Sequence, residues 1–179
     1  RELGFTSLVD RIPKAGASAA PASTRASAGP DVEAVTQAAG APDTQVTIID
    51  TPDALRSMVE AMSKASVLSV DTEASSINPM EAELAGISLS VEQGHAFYIP
   101  LGHAEGTQLP LSEVLDAVLP LLRDGAIAKV GHNLNYDLTL LSRYGLDPDD
   151  VTVGFDTMIG AHLLGERGIS LKQLALSKL

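Results

Sequence analysis

From Val46 onward, the spacing of apolar positions switches repeatedly between the strand period and the helix period. "VTIID" (46–50) is short and β-branched, and it reads as a strand. In "TPDALRSMVEAM" the spacing becomes helical, with Leu55, Met58, Val59 and Met62 on one face. Thr51 can accept from the first free N–H groups, Pro52 suits the first helical position, and Asp53 meets the positive end of the helix dipole. Alternation returns in "SVLSVDTE" (66–73), followed by a turn-rich stretch through Asn78-Pro79. "LAGISLSVE" (84–92) and "HAFYIP" (95–100) read as a hairpin turning at Gln93-Gly94. "SEVLDAVLPLL" predicts a helix from Ser112, which Pro120 should kink or shorten. Beyond it come a strand "AIAKV" (126–130), a helix "NLNYDLTLLSRYG" (133–145) closed by Gly145, and an extended "VTVGFD" (151–156). Helices "TMIGAHLL" and "SLKQLALSKL" finish the series.

The order β, α, three β, α, β, α, β, α, α predicts an α/β fold, a mixed sheet flanked by helices, with no internal repeat. The stretch 13–45 differs in kind. It is rich in Ala, Pro, Gly and Ser and offers almost nothing large to bury, so it is expected to be a flexible linker. Residues 1–12, "RELGFTSLVDRI", read as the tail of a preceding domain, and 46–179 as the folded domain. The chain starts at Arg1 and runs in a helical pattern to Leu179, so a piece of a longer protein is expected.

Composition narrows the function. With no cysteine there is neither a disulfide framework nor a thiolate metal site, which fits a reducing compartment. No run approaches the roughly 20 apolar residues that span a bilayer, and no signal-peptide pattern is visible, so no membrane partner is expected. A net charge of −11 argues against gripping duplex DNA through a broad basic surface, but not against handling a strand end through bound cations. Aromatic residues make up 3% of the chain, too few for extended base-stacking platforms.

Two stretches carry candidate chemistry. On a strand, Asp71 and Glu73 project to the same face, where two carboxylates repel unless a cation lies between them. Hard divalent ions such as Mg²⁺ take oxygen ligands and would relieve that conflict. Equally, Asp71 could start a turn and Glu73 face water. In "VGHNLNYDLTLL", Leu134, Leu138 and Leu141 set the buried stripe of a helix, and Asp137 falls about 65° from its centre, at the border. Asn133 lies one turn before Asp137 and Tyr136 beside it. Asn133 could be a helix cap, Tyr136 a packed aromatic and Asp137 a solvated acid. The histidines His95, His103, His132 and His162 lack zinc-site spacing. His132 borders the second stretch and reads as a surface or capping residue.

Taken together, "LSVDTEASSINP", "LAGISLSVEQGHAFYIPLGH", "KVGHNLNYDLTLLSRYG", "FDTMIGAHLL" and "SLKQLA" resemble the 3′–5′ proofreading exonuclease domain of the family A bacterial DNA polymerases. The resemblance runs from Val46 to Leu179, and "RELGFTSLVDRIP" is similar to the segment closing the preceding 5′-nuclease domain. It implies a ribonuclease H-like fold of the DEDD class, and two divalent metal ions, Mg²⁺ or Mn²⁺, as cofactors. The implied metal ligands and catalytic acids are Asp71, Glu73 and Asp137. Asn133 and Tyr136 would lie near the strand end, with Ile77 against the terminal base. Asp156 is read as a structural helix-start residue.

The implied partners are a single-stranded DNA 3′ end and the 5′-nuclease and polymerase domains of the same chain, in a bacterial cytoplasm at the nucleoid. The family pattern also holds a fourth acid in a Tyr-x-x-x-Asp motif. No Tyr follows Tyr144 here and no Asp follows Asp156, so the fold is expected to be C-terminally incomplete and the fragment weakly active or inactive. The alternatives are an exoribonuclease of the ribonuclease D type and a non-catalytic domain kept as a scaffold.

Overall fold

The computed structural model describes residues 44–178. The tail expected at 1–12 and nearly all of the linker expected at 13–45 lie outside the described residues. The first two elements are β1 (Gln45–Ile48) and α1 (Pro52–Met62), and Ala54 N–H donates to Thr51 Oγ1 at 3.3 Å, so the first helix is capped as its sequence predicts. The series continues with β2 (Val67–Ala74), β3 (Leu84–Glu92), β4 (His95–Pro100), α2 (Leu111–Arg123), β5 (Ala128–Gly131) and α3 (Leu134–Ser142). It ends with β6 (Val153–Asp156), α4 (Thr157–Leu163) and α5 (Leu171–Lys178). The order of elements is the predicted one.

The strands form one mixed sheet in the order β1-β4-β3-β2-β5-β6. β3 is antiparallel to both β2 and β4, whereas β1 runs parallel to β4 and β5 runs parallel to β2 and to β6. Period-two alternation sends Leu68, Val70 and Thr72 of β2 to the buried face, and Asp71 and Glu73 to the exposed one. Leu55, Met58 and Met62 of α1, Val118 and Leu122 of α2, and Leu140 and Leu141 of α3 join Leu68, Val70, Ile87, Leu89 and Ile99 in one core. Burying side chains of this size contributes roughly 1.5–3 kcal/mol each, enough to fix which face turns inward. The opposite face carries Ser69, Asp71, Ser88, Ser90 and Tyr98, with exposed Val46, Ile48 and Val67 among them.

Several local expectations are corrected. Pro120 does not shorten α2, which continues to Arg123. A proline costs its own N–H bond, but Asp124 N–H still donates to the Pro120 carbonyl at 3.0 Å and the last turn closes. The closing role read for Gly145 holds: regular helix α3 ends at Ser142, and Gly145, at φ +95°, makes the left-handed step of the Schellman turn that closes it, with Gly145 N–H on Ser142 O and Leu146 N–H on Leu141 O, both at 3.2 Å. A short 3-10 turn at Pro148–Asp150 precedes β6 and was not expected. Lys129, fully buried, donates from Nζ to the Asp124 and Ile127 carbonyls at 2.6 Å each and ties the loop between α2 and β5.

Candidate functional site

Glu73, Ile77, Asn133 and Tyr136 line one open cleft of about 560 Å³, together with Thr72, Ala74, Ser75 and Ser76. Its two walls are the end of β2 with the following loop, and the start of α3. The loop is fastened to the helix. Tyr136 OH donates to the Ser76 carbonyl, and Arg143 Nη1 donates to the carbonyls of Ala82 and, at 3.3 Å, Pro79. Ile77 sits on that tethered loop, 96% exposed, an apolar side chain presented to the solvent with no core to fill. Tyr136 is therefore neither a simply packed aromatic nor free; its hydroxyl holds the wall that carries Ile77.

Asp137 departs most from expectation. It is 3% exposed, and the buried side of α3 is Leu134, Asp137, Leu140 and Leu141, so the acid lies within the stripe and not at its border. The reason is a polar partner under the helix. Thr72 lies between the two strand acids but faces the core, and both its N–H (2.8 Å) and its hydroxyl (2.6 Å) donate to Asp137 Oδ1. A buried hydroxyl without a partner would be costly, so Thr72 and Asp137 each satisfy the other. Even so, burial pushes the Asp137 carboxyl up to about 6, against the Thr72 hydroxyl bond, and the neighbouring Asp71 carboxylate adds to the rise.

Asp71 is exposed as a residue, yet its surroundings desolvate the carboxyl enough to raise its pKa, with His132 pulling the other way. Glu73 pairs across the ladder with Gly86, and a Cβ at Gly86 would fall inside the Tyr98 side chain, so the tyrosine ring lies over that glycine. Burial and then the Glu73 charge raise the Tyr98 pKa, and its hydroxyl is hydrogen-bonded to His103 Nε2 at 2.6 Å. Gln108 brackets His103, accepting from its N–H at 2.9 Å and donating to its carbonyl at 2.8 Å.

Asn133 occupies the position before α3, but it is not the cap. It sits at φ 65°, ψ 44° and makes no side-chain cap bond. Asp156 caps α3 in its place, accepting from Asn133 N–H at 3.1 Å and Leu134 N–H at 2.7 Å. The same carboxylate caps α4 through Met158 N–H at 2.8 Å and Ile159 N–H at 3.2 Å. The helix-start role read for Asp156 is thus observed, and doubled. Burial raises its pKa, but the four N–H donors outweigh burial and hold the carboxyl below its ordinary value. His132 Nδ1 lies 2.9 Å from Thr157 Oγ1.

Thr72, the capping of α3 by Asp156 and the Tyr98–His103 pair went unread in the sequence. Only Thr72 left a usable signal, since alternation puts its hydroxyl on the core face, where it needs a partner.

The donor set is all oxygen and suits a hard divalent ion. The Asp71 carboxylate adds to the rise in the Asp137 pKa, a conflict that a bound cation would relieve. Among the described residues, no three His, Cys, Asp or Glu side chains converge closely enough to hold a metal by themselves. Asp71 and Glu73 share one face of β2, and Asp137 is joined to the same strand through Thr72.

A family model described as 3′–5′ exonuclease matches residues 46–178. The chain belongs to the 3′–5′ exonuclease family. Among its sequence relatives, DNA polymerase I of Chloroflexus aurantiacus is 36% identical over 134 residues, which is 75% of this chain and 14% of that protein. This exonuclease-family chain therefore spans about one-seventh of the length of that curated relative. A solved structure of Escherichia coli RNase D, an exoribonuclease involved in structured RNA processing, superposes with a TM-score of 0.55 at 23% identity, over 76% of this chain and 34% of that one. Brucella melitensis NrnC with bound Mg²⁺ gives 0.51 at 20%, over 74% and 59%. These likenesses establish the fold, the ribonuclease H-like architecture of exonucleases, with the α/β mixed sheet described above.

Proposed function

We propose that this exonuclease domain removes nucleotides from the 3′ end of a single DNA strand, as the editing part of a DNA polymerase I. The observation that carries the reading is a cleft lined by Glu73, Asn133, Tyr136 and Ile77, in whose wall Thr72, next to Asp71, is hydrogen-bonded to Asp137 of α3. The cleft is open, and its volume of about 560 Å³ suits the end of one strand. Its apolar lip, Ile77, fits a base, and its polar wall, Asn133 and Tyr136, fits sugar and phosphate.

Asp71, Glu73 and Asp137 would supply some of the ligands of two divalent ions, Mg²⁺ or Mn²⁺, and this reading takes those three acids as the catalytic set. When bound, such ions lower the pKa of water and stabilise the oxygen that leaves phosphorus. The chain's own residues do the rest. Thr72 fixes one oxygen of Asp137 with two donors, and Tyr136 holds the loop of Ile77 in place. The products would be a nucleoside 5′-monophosphate and a strand one nucleotide shorter.

Sequence relatives such as the DNA polymerase I of Chloroflexus aurantiacus favour DNA over RNA, and they support a reading with 5′-nuclease and polymerase domains in the same chain and a bacterial cytoplasm as its setting. No helix among the described residues is long and apolar enough to cross a membrane. The test is nucleotide release from matched 3′-labelled DNA and RNA oligonucleotides by the full-length protein, with Mg²⁺ or with a chelator. Mg²⁺-dependent release from DNA that Asp71→Ala abolishes is the expected result. Release that survives Asp71→Ala sinks the assignment of the acids. Preference for RNA would move the chain to the ribonuclease D type of activity.

A further inference from the structure

The junction between β6 and α4, Asp156–Thr157, grips the segment that enters the cleft wall. Asp156 Oδ1 accepts the N–H of Asn133 and Oδ2 that of Leu134, the two peptide groups on either side of the Asn133 Cα. Rotation about N–Cα moves the first group and rotation about Cα–C moves the second. One carboxylate that holds both therefore fixes φ and ψ of Asn133 together. Thr157 extends the grip, since its hydroxyl donates to the Gly131 carbonyl at 3.1 Å. A hydroxyl has one proton, so the 2.9 Å contact with His132 must be Nδ1–H donating to Thr157 Oγ1.

Four consecutive residues, Gly131 to Leu134, are thus tied to two. Among the described residues Asn133 is the only non-glycine with positive φ, a conformation that asparagine tolerates better than most residues do. An ordinary helix cap would need none of this. A cap residue in the extended region accepts from the helix with its own side chain. Asn133 does not, and it is a lining residue of the cleft instead.

We propose that Asp156 and Thr157 are positioning residues, which hold Asn133 in its left-handed conformation so that its amide meets the sugar-phosphate of the terminal nucleotide. The inference rests on the exonuclease reading and adds to it a pair of residues outside the cleft that set substrate affinity.

A double-mutant cycle in the full-length protein tests it. Asn133→Gly keeps the left-handed backbone and removes the amide, and Asp156→Asn removes one acceptor oxygen. Each single variant should raise KM for a single-stranded DNA oligonucleotide by about tenfold with a smaller change in kcat, and the double variant should be no worse than either. Melting-temperature losses, by contrast, should add. KM effects that multiply in the double variant overturn the proposal, because Asp156 would then act on something other than Asn133.

If Asp156→Asn does not fold, Thr157→Val decides. A KM rise of about threefold that Thr157→Ser restores supports the grip, and an unchanged KM rejects it. Wild-type protein and Asp71→Ala run alongside. Absence of Asp71-dependent excision in those two would defeat the exonuclease reading itself, an outcome separable from failure of the cycle.

Discussion

Helices α1 and α3 both pack apolar residues on the same sheet core, yet they are held in opposite ways. α1 is self-contained. Its cap, Thr51, is the residue before it; its buried face is Leu55, Met58 and Met62; and its exposed ion pair, Asp53 with Arg56 at 3.0 Å, lies within the helix. α3 relies on residues far away. Its cap is Asp156, its first turn follows a left-handed Asn133, and an acid in its buried face is matched by Thr72 of another element. A helix whose code is local can only pack. A helix whose ends and polar groups are matched from elsewhere can place side chains where its own sequence would not put them, and that helix forms the cleft wall.

The comparison can be broken most sharply by activity. Asp137→Ala in the full-length protein should lower excision at least a hundredfold or so, while Thr51→Ala should leave it unchanged. Nucleotide release from a single-stranded oligonucleotide reads both, and a shared decline would mean that the two helices are not functionally distinct. Next comes stability. Asp156→Ala strips an acceptor from four N–H groups on two helices, and should cost about 2–4 kcal/mol in urea unfolding. A loss no larger than that of a single cap would show that water replaces the carboxylate freely.

A pH effect of similar or smaller size distinguishes α3 again. The folded-state pKa of Asp137 is raised to about 6, above the ordinary 3.8, so between these values the native state binds more protons than the unfolded chain. The metal-chelated protein should therefore lose stability as pH rises from about 4 through about 6, by on the order of 3 kcal/mol from this group. Asp137→Asn should flatten that decline in melting temperature, and a decline that persists in the variant would place its origin elsewhere. The smallest effect belongs to α1: Thr51→Ala should cost about 1 kcal/mol, the loss of one local cap, read as a shift in the urea midpoint.

The same contrast explains what was legible in the sequence. The order of elements could be read, because apolar spacing, Pro52 and the Gln93-Gly94 turn are local signals. Membership of the exonuclease family, with its fold, was legible in the phrases around Asp71, Glu73, Asn133, Tyr136 and Asp137. The depth of Asp137 was not. A periodicity argument treats an acid as something to keep out of the core, and only the partner Thr72, 65 positions away, makes its burial tolerable. The true cap of α3 was hidden for the same reason, because Asp156 reads as the start of the helix that follows it and reveals nothing of the helix before. Local rules fail here wherever a polar group's partner lies across the fold.

Strand β2 has an antiparallel neighbour on one side and a parallel one on the other. At its Ala74 end, β3 arrives while β5 departs, so the chain crosses the sheet edge in opposite senses on its two flanks. Crevices in α/β sheets open where the connections reverse in this manner. The cleft is accordingly written into the connectivity, before any side chain is chosen. Exchanging Ile77, Asn133 or Tyr136 can change what the crevice holds, but closing it would require a different order of strands.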